Sequence, residues 1–196
     1  MPMNKPEIIA RLRRDLSAVV TESRRAKADP AVSAARIALR EFQVQRMARS
    51  HADLLANPGT GSAARFFLSE LYGPYDVTRR DANFERVLPS MERLLPVAAL
   101  EAVAEAVALD ALSEKLDARM AKRLGEAFTE DDYIAAYRMV GKRADRERQL
   151  VQVESVGSAL CELVRVPLIG STLAMMRSPA RLAGLSELHR FLERGF

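Results

Sequence analysis

Cysteine is nearly absent, and so is histidine: the chain of 196 residues holds one cysteine, Cys161, and two histidines, His51 and His189. One cysteine forms no intramolecular disulfide, and this usage fits a reducing, cytoplasmic compartment. A long hydrophobic run is missing too. The longest uncharged apolar-rich stretch, 166–176, spans 11 residues between Arg165 and Arg177. A bilayer crossing needs about 20, so no membrane span is expected. The first residues, Met-Pro-Met-Asn-Lys-Pro-Glu, pass straight into a charged amphipathic pattern and show neither the apolar stretch nor the cleavage site of a signal peptide. Sustained apolar/polar alternation between hairpin turns is lacking as well, which argues against sheet structure.

Metal, cofactor and nucleophile motifs are equally scarce. Neither histidine has a glutamate three residues before it, as helical di-metal sites require. No Cys-x-x-Cys or His-Glu-x-x-His pattern occurs. His51 shares a stripe with Val44, Met47 and Leu54, and His189 with Leu185, Leu192 and Phe196, so each reads as a partly buried histidine with a hydrogen-bond partner. Cys161 follows the stripe residue Leu160 inside a helix, where a buried thiol behaves as a small apolar side chain. The acidic run Glu130-Asp131-Asp132 lacks the alternating oxygen spacing of a calcium loop and suits a helix start after Thr129. The expectation is a chain without catalytic residues, metal or cofactor.

What the sequence does have is helical periodicity over most of its length. A first helix is expected from about Lys5 to Lys27, with Ile8, Leu12, Leu16 and Val19 on one stripe. After Asp29-Pro30 a longer one reaches about Ala56, with Val32, Ala35, Leu39 and Phe42 on one stripe and Val44, Met47, His51 and Leu54 on another. Asn57-Pro58-Gly59-Thr60-Gly61 is a turn. A short apolar helix from Ser62 stops at Gly73-Pro74, and Thr78 and Asp81 have capping-box spacing before a helix that Pro89 interrupts. Pro96 opens a helix with Leu109, Leu112, Leu116, Met120 and Leu124, ending at Gly125. After Gly141, Leu150, Val153, Gly157, Leu160 and Val164 mark a helix that stops before Pro167, and Ser178-Pro179 starts the last, which Gly195 ends. These signals predict an all-α, single-domain bundle over 1–196, with seven to nine helices and mostly antiparallel neighbours. In it a basic helical pair (1–57) packs on the remainder (60–196).

Charge is distributed unevenly. Residues 1–50 hold 11 Lys/Arg against 5 Asp/Glu, and the rest 19 against 21. The candidate nucleic-acid surface is Arg11, Arg13, Arg14, Arg24, Arg25 and Lys27 on the first helix, with Arg36, Arg40, Arg46 and Arg49 on the second. Nucleic acid, acidic lipid or an acidic protein would answer such a surface, and a merely solvated helix face explains the same residues. The second candidate is the turn containing Tyr72, Tyr75, Asp76, Arg79, Arg80 and Asp81. Arginines beside a helix N-terminus can hold a phosphate or carboxylate. The alternative is that the two carboxylates brace the turn against Arg79 and Arg80.

The segment from Phe66-Phe67-Leu68 through Tyr72-Gly73-Pro74 to Asp81, with Pro89, Met91 and Leu95-Pro96, resembles a proteobacterial family of helical proteins without an assigned activity. The stretches Met176-Arg177-Ser178-Pro179-Ala180 and Phe191-Leu192-Glu193-Arg194-Gly195-Phe196 are similar to the same family. The resemblance implies an all-helical bacterial cytoplasmic protein and carries no ligand or catalytic residue across. Long apolar stripes, few residues suited to proton transfer near neutral pH and no cofactor motif favour a non-enzymatic interaction or regulatory module, self-associating through an amphipathic helix, with a dimer favoured. A nucleic-acid-associated protein using residues 1–50 is the first alternative. An enzyme or small anionic-ligand binder at the 72–81 turn is the second.

Overall fold

A computed structural model describes residues 3–71, 88–89, 91–93, 95–165, 170–171, 174–175, 177–178 and 193. Among them, helices are the only regular structure, and the fold is an all-α multi-helix bundle.

Helix α1 (Lys5–Ala28) begins with a capping box: the Glu7 amide donates to Asn4 Oδ1 at 3.0 Å, and Glu7 Oε2 accepts from the Asn4 amide at 2.9 Å. Its expected stripe, Ile8, Leu12, Leu16 and Val19, is fully buried. Asp29 then caps α2 (Pro30–Ser50) by accepting from the amides of Ala31 and Val32. The single long helix expected to Ala56 is in fact two, because the chain turns at His51 (φ −125°, ψ 36°) before α3 (Ala52–Ala56). Ala35 and Leu39 of the first stripe are buried and Val32 and Phe42 partly so, but Leu54 of the second stays 44% exposed and His51 is exposed. With no core to follow, the second stripe does not hold the helix straight.

After the Asn57 turn comes α4 (Gly61–Phe66), which widens into a π turn over Phe67–Leu71. Gly61 is required there, since a Cβ would lie 2.7 Å from the Leu55 carbonyl oxygen. The central helix α5 (Val97–Leu124) follows Pro96 and ends at Gly125, whose φ of +71° favours glycine. Thr129 and Asp132 form a capping box at the start of α6 (Glu130–Val140), as the acidic first turn predicts. The last long helix among the described residues is α7 (Arg143–Val164).

Helix α5 supplies one wall to both halves of the core. Ile8, Ile9, Leu12 and Leu16 pack with Leu88, Leu100, Ala104 and Val107. Ala35 and Leu39 pack with Met120, Ala121, Tyr133 and Ala136, where the Phe42 ring lies 5.4 Å from Phe128 and 4.8 Å from Tyr133. Neighbours rise together along α1 and α5: Arg11 bonds Glu105, and further on Arg25 lines one groove with Lys115, so these two helices run in the same direction. Helix α7 lies along another side of α5, where Gln149 Nε2 donates to Ser113 Oγ at 2.7 Å.

Candidate functional site

The turn residues Tyr72, Tyr75, Asp76, Arg79, Arg80 and Asp81 lie outside the described residues, as does His189. Three other features carry chemistry: the solvent side of α1, a buried charge cluster between α2 and α5, and the outer side of α7.

On α1 the six predicted cations differ in their partners. Arg11 is structural: its Nη1 donates to Glu105 Oε1 at 2.7 Å, and its Nε is 3.7 Å from Asp15. The hydrogen bond to Glu105 holds its guanidinium above the ordinary arginine value. Arg25 has only a loose contact with Glu22, at 3.8 Å, and Lys27 is not free. Arg13, Arg14 and Arg24 are exposed and form no ion pair among the described residues. Arg14 and Arg25 line a shallow groove with Ser17 and Thr21, closed on the α5 side by Lys115. The helix is fixed there by its buried stripe, so these side chains necessarily point outward.

Arg36 and Arg40 correct the expectation of a cationic α2 surface. Arg36 is 6% exposed, and both guanidiniums donate to Glu114, Arg36 to Oε2 and Arg40 to Oε1. Arg36 Nη1 also donates to the Glu22 carbonyl at 3.3 Å. Burial, and then the neighbouring Arg40, lowers the Arg36 pKa from its ordinary value. Beside this cluster Gln43 Nε2 donates to Asp117 at 3.1 Å. Enclosure of the Asp117 carboxylate pushes its pKa up, against the opposing pull of Gln43, Arg40 and Arg146. Two more α2 arginines are engaged with α6: Arg46 lies 5.6 Å from the centre of the Tyr133 ring, and Arg49 is 3.9 Å from Glu130. Charges this deep brace three helices. Sequence reasoning missed the cluster because its partners stand 74 and 78 residues apart.

The outer side of α7 corrects a second expectation. Leu150 (70% exposed), Val153 (45%), Leu160 (41%) and Val164 (47%) face solvent, and Cys161 beside them is exposed rather than buried. The inward side is instead Gln149, Gln152, Val156 and Leu163, of which Val156 is buried. The exposed stripe 150, 153, 157, 160, 164 advances by three and four residues in turn, which is the spacing of a coiled-coil seam. At its centre Gly157 has open space where a Cβ would stand.

Among the described residues, no three His, Cys, Asp or Glu side chains are grouped to hold a metal ion, and no helix is long and apolar enough to cross a membrane. Comparison with known families matches residues 22–196 to a family described as "Domain of unknown function (DUF8198)". No curated protein and no solved structure matches the chain.

Proposed function

Since the chain belongs to this family of domains of unknown function, we propose that it is a non-enzymatic interaction protein whose partner on the outer side of α7 is a second copy of itself. The observation that carries the reading is the solvent-facing seam Leu150, Val153, Gly157, Leu160 and Val164. A seam of this spacing buries its knobs only in the holes of another helix.

Charge selects the occupant and the orientation. Residues 143–149 of α7 contain three arginines and two acids, whereas 150–164 contain Glu154 and Glu162 and no cation. Two copies in parallel would oppose their Arg143 residues at one end. Antiparallel copies set the arginine-rich start of each α7 beside the acidic half and negative dipole end of the other. A two-fold axis between Val153 and Glu154, the middle of α7, sets Arg143 of each chain opposite Val164 of the other.

The reading takes residues 1–196 as one helical domain of the bacterial cytoplasm. The contacts of α1 and α2 with α5 support the single domain, and the lone cysteine fits the compartment.

Sedimentation of the full chain across a concentration series tests the proposal. The expected result is a reversible dimer, which Leu160→Glu converts to a monomer of unchanged helix content. A wild type that stays monomeric, with Leu160→Glu losing helix, would show instead that the chain's own residues after 165 cover the seam, and would overturn the proposal.

A further inference from the structure

The solvent side of α1 is independent of α7 and has a different character. Arg13 and Arg14 stand one after the other, and Arg24 and Arg25 repeat them 11 residues later, all four exposed. Eleven residues are close to three helical turns, so both pairs fall on the same side, about 16 Å apart along the axis. Between them stand the short, exposed hydroxyl residues Ser17 and Thr21. Of the acids of α1, Glu7 is engaged with the Asn4 amide, Asp15 is half-buried against Arg11, and Glu22 is half-buried at the rim of the groove, 3.8 Å from Arg25. Lys115 of α5 adds a cation at the edge of the same groove.

From this arrangement we infer that the solvent side of α1 binds the phosphate backbone of a nucleic-acid duplex, independently of base sequence. A membrane surface fits less well, because an interfacial helix inserts apolar side chains, and those of α1 are committed to the core. An acidic protein also fits less well, since protein interfaces centre on desolvated aromatic or aliphatic anchors and this face presents none. Phosphates require only forked donors, hydroxyls and close approach, all of which are here. The separation of the arginine pairs exceeds the width of a major groove, about 12 Å, so the helix can lie across the groove with one pair at each phosphate wall. The short residues between the pairs do not reach base edges, which is why binding is independent of sequence.

The test uses the full chain and two labelled probes, a mixed-sequence DNA duplex of about two helical turns and a single strand of the same length. In about 50 mM salt the duplex should bind, and more tightly than the single strand, with log affinity falling against log salt at a slope of roughly −3 to −4 for four phosphate contacts. The fourfold variant R13Q/R14Q/R24Q/R25Q should bind at least tenfold more weakly and lose most of that slope, with helix content unchanged because these side chains point to solvent. The corresponding fourfold lysine variant should retain most of the binding. No complex with the wild type at low salt, equal binding by the glutamine variant, or a preference for the single strand would each overturn the inference. So would tight association with anionic vesicles by a protein that leaves the duplex unbound.

Discussion

Glu114 accepts hydrogen bonds from Arg36 and Arg40 at once, one guanidinium on each carboxylate oxygen, and thereby ties two turns of α2 to the middle of α5. The Glu114 and Arg36 side chains are 7% and 8% exposed. Removing the carboxylate strands a buried cation, which typically costs about 3–5 kcal/mol. Glu114→Ala is therefore expected to lower the urea midpoint steeply. Glu114→Leu combined with Arg36→Met and Arg40→Met should recover much of the loss, because it leaves no guanidinium in need of the carboxylate. If Glu114→Ala unfolds with wild-type stability, the cluster is not the brace described here.

A second expectation concerns pH. Enclosure raises the Asp117 pKa in the folded chain above its unfolded value of about 4. Between these values the native state holds a proton that the unfolded state has lost. This contribution to stability therefore declines as pH rises from about 4 through the raised value, opposite to the usual behaviour of a salt-bridged aspartate. Asp117→Asn keeps an acceptor for Gln43 and removes the ionisation. It should be more stable than wild type at neutral pH, and the difference should shrink in acid. Parallel denaturation curves at several pH values would show this, and a difference independent of pH would refute it.

The cap of α6 gives a smaller, local effect. Thr129 Oγ1 accepts from the Asp132 amide at 3.2 Å, and Asp132 Oδ2 accepts from the Thr129 amide at 2.9 Å. The second bond, with the Thr129 hydroxyl, holds the Asp132 carboxyl below the ordinary range. Thr129→Ala should lose about 1 kcal/mol, or roughly 2–4 °C in Tm. A calorimetric scan of the two proteins decides it.

Gly157 offers a test in the stabilising direction. Its Cβ position is open and its φ is unremarkable, so Gly157→Ala should gain about 0.8–1 kcal/mol from helix propensity. A loss on denaturation in dilute solution would mean that something already occupies that space within one chain.

Cys161 reports on the same seam without mutation. Exposed beside Leu160, its thiol should react to completion with a neutral alkylating reagent in the folded, dilute protein. Pairing of α7 should slow that reaction as concentration rises. A rate independent of concentration would place the thiol away from any interface.

Much of the fold was legible because local rules and the core agree. Ile8, Leu12, Leu16 and Val19 repeat at helical spacing and are buried together, and Thr129 with its acidic first turn opens a helix where predicted. On α7 the same logic misled, since periodicity shows that a stripe exists but not which side of the helix meets its own core. The polar Gln149 and Gln152 turn inward, while Leu150 and Leu160 turn outward. Arg36 read as a surface cation for a related reason. Its burial depends on Glu114, 78 residues away, and no local pattern encodes that pairing. Of the cations proposed on α1, Arg13, Arg14 and Arg24 are exposed as a surface role requires, whereas Arg11 is held by Glu105.

The parallel alignment of α1 with α5 also sets a timetable. Residues 5–28 are made before residues 97–124, yet the wall that shelters Ile8 and Leu12 comes from Leu100 and Val107. Until about ninety further residues have left the ribosome, the first helix carries its oily side uncovered. Nascent chains stalled before α5 should therefore be captured by chaperones far more readily than chains stalled after it.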